Sequence, residues 1–183
     1  MSALPIFLRL CACLGMLLAL CVPARADTAI SLTKSFNGSV NFTGTQVTLR
    51  TNSNNVNACS VAPSTSTRKA SLTLPSNATV LSAQLYWAGS GSADNTVSFE
   101  GSSVTATRKY SSNTVGNGMK YFGGAADVTD IVKNKGTGTY SFSGLTVATG
   151  NPWCASQAVL GGFSLLVVYS HREIGRASCR ERV

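Results

Sequence analysis

An antiparallel β-sandwich of the jelly-roll kind is the fold this sequence predicts, and three observations predict it. Apolar residues recur at every second position in short runs, the signature of strands with one buried face. Turn signals built on Gly and Asn separate those runs at short intervals. Ser, Thr, Asn and Gly supply 68 of the 146 residues between Asp27 and Arg172, which leaves no room for the long apolar stripes of a helical bundle or coiled coil. The class is all-β, in a single domain spanning 27–172.

Each element follows from its own residues. Ile30, Leu32 and Phe36 open the series, Asn37-Gly38 fits a tight turn, and Val40 and Phe42 follow. Val47 and Leu49 make the next pair, then Leu72 and Leu74. The clearest run is Leu81, Ala83, Leu85 and Trp87, all expected to face inward. Alternation then turns Tyr86 outward with Ser82 and Gln84. Val97 with Phe99, Val104 with Ala106, Tyr140 with Phe142, and Leu145 with Val147 continue the pattern, punctuated by Gly91, Gly101, Asn117-Gly118 and Gly144. One helical turn is expected from Ala126 to Lys133, capped by Asp127, with Val128, Ile131 and Val132 inward. Phe163 to Tyr169 is nearly continuous apolar sequence, as in a central strand buried on both faces. Such a strand needs a partner after it, so the domain is expected to stop inside its own fold and to leave an apolar edge.

The two ends read differently from the middle. Arg9, the apolar stretch Leu10 to Val22 and the small-x-small exit Ala24-Arg25-Ala26 form a secretory signal, 1–26, cleaved after Ala26. Its apolar core is too short for an anchor, and nothing later in the chain reaches membrane-spanning length. The expected location is therefore secreted or cell-surface. At the other end, residues 173–183 read as a non-native tail, because Ile174 to Val183 resembles a translated sequencing adapter. The formal charge of +8 falls to +5 between Asp27 and Arg172, with ten Lys/Arg against five Asp/Glu. Those cations are few and scattered, which argues against a nucleic-acid partner.

Few residues carry candidate chemistry. Cys59 and Cys154 are the cysteines left between the two ends, and in an exported chain they are expected to form one disulfide. Asp127 and Asp130 are the only close carboxylate pair; with carbonyls from a Gly123-Gly124 turn they are a candidate calcium site. Tyr86, beside small polar residues, is a candidate platform for a sugar ring. Tyr110, Tyr121 and Phe122 with Arg108, Lys109 and Lys120 make a modest basic-aromatic patch around the loop Ser111 to Lys120. Asp94 and Glu100 are the remaining carboxylates that a glycosidase would need, with nothing to fix their separation. No catalytic set emerges, and an enzyme is not expected.

Four segments carry a family resemblance: Leu85 to Gly91 (LYWAGSG), Tyr121 to Val132 (YFGGAADVTDIV), Gly138 to Leu145 (GTYSFSGL) and Ala158 to Tyr169 (AVLGGFSLLVVY). In this order the chain resembles the N-terminal module of large secreted or cell-surface bacterial proteins. Those proteins carry adhesin-associated, immunoglobulin-like repeats of unknown function. The resemblance covers Leu81 to Ser170 and implies a Gram-negative source and a non-enzymatic, surface-exposed protein. It brings no catalytic residues. Two functions follow as expectations. One is a non-catalytic structural or adhesion module, a fragment of a larger protein, whose partners are its own further domains, surface glycans or host-cell proteins. The alternative is a carbohydrate-binding jelly-roll domain with a structural calcium ion.

Overall fold

The computed structural model describes residues 31–112 and 116–174. The expected leader, Ile30 and the tail from 175 onward lie outside the described residues. The described chain forms β1 (Val40–Thr48), α1 (Asn54–Asn57), β2 (Arg68–Leu72), β3 (Thr79–Ser90), β4 (Thr96–Phe99), β5 (Ser102–Thr105), β6 (Arg108–Ser111), β7 (Tyr121–Asp127), α2 (Thr129–Lys135), β8 (Gly138–Ser143) and β9 (Gly161–Ser170). Two antiparallel sheets result, ordered β1-β9-β3-β7-β6 and β2-β8-β4-β5. The all-β sandwich expected from the alternation is the observed fold.

The inner faces meet where the sequence alternates most cleanly. Leu85, Trp87, Phe163, Leu165 and Val167 of the larger sheet pack on Leu72, Val97, Phe99, Tyr140 and Phe142 of the smaller. A string of rings crosses the gap: Phe99 stacks on Tyr140 at 5.5 Å and touches Phe142 at 5.3 Å, and Phe142 reaches Phe163 at 5.5 Å. Each such pair adds about 0.5–1.5 kcal/mol beyond the area it buries. The Tyr140 hydroxyl stays satisfied by donating to the Gly136 carbonyl at 2.6 Å. Burial, with the charge of Glu100 beside it, pushes that phenol up to about 12.

Several sequence expectations need correcting. Residues 31–37 form no strand, and Leu32 is 85% exposed. Phe42 is 70% exposed, because the even positions of β1 point away from the core while Val47 packs toward it. Leu81 is 36% exposed although Ala83, Leu85 and Trp87 are buried. A β-bulge between Val80 and Ser82 shifts the pairing there, so Val80 takes the inward place instead. Gly123 and Gly124 are no turn: they lie inside β7, paired to Ala88 and Trp87 on one side and to Tyr110 and Lys109 on the other. Leu145 and Val147 pack on the core without forming a strand. The helix begins at Thr129, after Ala126 and Asp127 have closed β7.

Strand β9 is central as expected, but it is buried on one face only, with Phe163, Leu165, Val167 and Tyr169 inward and Leu166 36% exposed. Both its neighbours come from upstream. β1 pairs along its whole length from Val40↔Ser170 to Thr48↔Gly162, and β3 takes the other side. The partner required by an apolar central strand is thus β1, and the sheet edges are β1 and β6 rather than β9.

Candidate functional site

The outer face of the five-stranded sheet is where side chains collect that the core does not use. Register places residues of neighbouring strands in rows across the sheet. One row runs Gln46, Ser164, Tyr86, Ala125, Arg108; the next runs Thr48, Gly162, Ala88, Gly123, Tyr110. Three central positions of the second row, Gly162, Ala88 and Gly123, carry nothing larger than a methyl group. They floor a shallow trough of about 640 Å³ that runs across the strands. Tyr86 stands along one side and Tyr110 at one end, two strand spacings away, or about 10 Å. Leu160, Gln46, Thr48 and Ser164 complete the lining.

Each wall is held by its own contacts. The Arg108 guanidinium lies over the Tyr86 ring, 5.6 Å from its centroid, and donates to Gln84 Oε1 at 2.7 Å. Gln84 donates in turn to Asp127 Oδ2 at 2.9 Å, and Lys34 Nζ donates to the same oxygen at 2.6 Å and to Ser82 Oγ at 3.1 Å. The segment before β1 is thereby pinned across the end of the face. Leu160 sits on the loop that ends in β9. That loop is tied down by the Cys59–Cys154 disulfide (Cα–Cα 5.1 Å), by Ser90 N–H donating to the Leu160 carbonyl, and by Arg50 reaching the Val159 carbonyl. Tyr121 adds a further tie, its hydroxyl donating to the Ala158 carbonyl at 3.0 Å.

Of the sequence candidates, the cysteine pair is joined as expected. Tyr86 points outward and Trp87 inward, the Trp87 indole N–H donating to the Asp94 carbonyl at 2.8 Å. The N-cap position of α2 falls on Val128, one residue after the expected cap Asp127. The Asp127 Oδ1 accepts the Thr129 N–H at 2.9 Å, starting α2, while its Oδ2 faces a lysine. Burial opposes its ionisation, but the hydrogen bonds from Lys34, Thr129 and Gln84 outweigh that and hold the carboxyl well below the usual range. The Lys34 ammonium, 2.6 Å from Oδ2, already balances the Asp127 carboxylate, and Gly123 and Gly124 lie within the paired ladder of β7. Asp130 lies exposed in the first turn of α2. Among the described residues no three His, Cys, Asp or Glu side chains gather.

The other groupings come apart. β4 (Thr96–Phe99) stands between Asp94 and Glu100, which therefore belong to opposite ends of one strand. Asp94 accepts backbone N–H groups from Thr96 and Thr146, and Glu100 pairs with Lys135. In the basic-aromatic patch Phe122 turns into the core, while Tyr110 joins Tyr86 at the trough. A larger cleft of about 910 Å³ lies beside Ser170 to Glu173, next to residues outside the description, and its lining holds no Tyr, Trp or Phe.

Sequence reasoning missed Ala88 and Gly162, grouped Tyr110 with a different patch and read Gly123 as part of a turn. The available signal was the run Gly123-Gly124-Ala125-Ala126, since small residues inside a strand mark a close approach to something. No helix among the described residues is long and apolar enough to cross a membrane. Comparison with protein-family models, with curated proteins and with solved structures finds no match. Fold and site together define a β-sandwich with a built trough on one outer face.

Proposed function

We propose that this chain is a non-catalytic, exported surface module of the structural and adhesive kind, which engages its partner through the outer face of the five-stranded sheet. The observation that carries this is the trough itself: two tyrosines beside a floor of Gly162, Ala88 and Gly123. The leader-like N-terminus supports export, and the resemblance over Leu81 to Ser170 supports a place at the cell surface. The employment of Asp94, Glu100 and Asp127 in structural contacts supports a role without catalysis. The carbohydrate-binding alternative gains from the outward Tyr86; its calcium ion at Asp127 and Asp130 is disfavoured by the lysine on Asp127.

A cell- and matrix-retention assay with the exported chain tests this reading. Retention should fall about tenfold or more in the Tyr86→Ala/Tyr110→Ala double variant, as expected when aromatic anchors are removed, with the melting temperature held. Equal retention by both proteins would sink the assignment of this face.

A further inference from the structure

We infer that the trough binds a neutral glycan chain lying across the strands. The inference rests on the outer face being the binding face and adds the class of ligand.

Backbone pairing narrows the field first. Strands β9, β3 and β7, which floor the trough, are each paired on both sides. A peptide bound there finds no free strand edge, so the main-chain hydrogen bonds that usually supply affinity for extended peptides are missing. Recognition must come from side chains. The trough crosses the sheet from Thr48 on β1 to Tyr110 on β6, four strand spacings or about 19 Å. That length suits a few sugar units laid end to end.

The lining matches such a ligand chemically. Tyr86 and Tyr110 line the trough with aromatic rings, of which Tyr86 carries the Arg108 guanidinium over one face. Such rings can meet the C–H face of a pyranose and their hydroxyls its edge. Gln46, Thr48 and Ser164 add amide and hydroxyl groups that both donate and accept. No charged side chain lines the trough. Two nearby cations have protein partners, Arg108 in Gln84 and the Tyr86 ring, and Arg50 in the carbonyls of Asn52, Asn57, Ala58 and Val159. Lys109 alternates to the other face of β6 from Tyr110. The nearby carboxylate, Asp127, has Lys34. An uncharged trough with compensated charges around it complements an uncharged ligand.

Gly123 supplies an independent mark of function. A Cβ on Gly124 would stand 2.3 Å from the Trp87 ring, and one on Gly162 would stand 2.7 Å from the Val47 carbonyl, so the fold itself demands those glycines. At Gly123 the nearest atom would be 3.5 Å away, an ordinary contact. Glycine inside a strand is destabilising, and packing does not require it here. What it provides is an open floor.

The test is a glycan array that presents neutral oligosaccharides (cello-, xylo-, manno- and galacto-series) beside anionic polyuronates and chondroitin sulfate. Calorimetry of the exported chain with the best binder follows, at about 20 and about 300 mM salt, which shortens the screening length severalfold, with and without a chelator. The expected result is a neutral binder whose affinity holds within about twofold across salt and chelator, the absence of an ionic contribution. Tyr110→Ala should weaken it about tenfold. Ala88→Leu should abolish it by filling the floor, and Gly123→Ala should weaken it while raising the melting temperature. Binding confined to anionic polymers, and lost with salt, would overturn the neutral class and leave this face as the binding face. Neutral binding untouched by Tyr110→Ala and Ala88→Leu would overturn both the inference and the assignment of the face. An array blank for every glycan, with retention on cells still dependent on Tyr86 and Tyr110, would overturn the glycan and point to a protein ligand.

Discussion

The two outer faces of this sandwich share a core and differ in almost everything else. On the four-stranded sheet the outward positions are Lys69 and Ser71 on β2, Thr139 and Ser141 on β8, Thr96 and Ser98 on β4, and Ser103 and Thr105 on β5. Hydroxyls pair across strands, Ser71 with Thr139 and Thr96 with Thr105, each at 3.2 Å. This is a surface of small hydroxyl side chains, several of them paired across strands. The five-stranded sheet instead sets Gly162, Ala88 and Gly123 in a row and stands two tyrosines beside them. Folding alone is served by the first face. The second departs from what a stable sheet prefers, and that departure marks the place to look for a ligand.

Breaking the disulfide should have the largest effect. Cys59 and Cys154 are 95 residues apart in sequence, a loop whose closure stabilises by about 4–5 kcal/mol in the chain-entropy model. Cys59→Ser/Cys154→Ser should lower the urea midpoint accordingly. It should also loosen the loop carrying Leu160, so ligand binding suffers beyond the loss of stability. Next come two adjacent glycines with opposite signs. Gly124→Val drives a side chain into the Trp87 ring and should destabilise by about 1–3 kcal/mol. Gly123→Ala should stabilise by about 0.5–1 kcal/mol; denaturant melts of the pair settle both signs.

Acid probes the pin across the binding face. The Asp127 carboxyl is depressed in the folded chain, so its stabilisation is present above the unfolded value of about 3.9 and is lost as pH falls below it. Stability measured from about pH 5 down to about pH 2 should fall less steeply in Asp127→Asn, which starts from a lower plateau. The group is 46% exposed, and solvent screening keeps the effect small. Smallest of all, Ser71→Ala and Thr139→Ala on the plain face should shift stability by less than about 0.5 kcal/mol and leave binding unchanged by calorimetry.

The chain's alternation made part of this visible before any coordinates. Period two in Ala83, Leu85 and Trp87 gave the inward face of β3, and with it the outward direction of Tyr86. The apolar run Phe163 to Tyr169 marked the central strand, and two cysteines between the two ends of a chain read as exported marked the disulfide. Strand β7 was hidden because Gly-Gly-Ala-Ala lacks the branched and aromatic residues that mark strands. Its smallness answers to Trp87 on one side and to the trough on the other, neither of which is local. The bulge at Val80/Ser82 inverts the phase of Leu81, and no composition rule announces a bulge. Tyr110 reaches the site only through β7, which lies between β6 and β3. Side-chain direction was legible where pairing is regular, from Ala83 to Trp87, and not at Leu81 or Phe42. Strand order is not a local property, and half of the site depends on it.

The contrast between the two faces is tested most directly by mapping amide chemical shifts while the protein is titrated with the strongest neutral binder from the glycan array. Perturbations should gather at Gly162, Ala88, Gly123 and Tyr110, with the amides of β2, β8, β4 and β5 unmoved. Shifts centred on the four-stranded sheet, or spread evenly over both faces, would contradict that contrast.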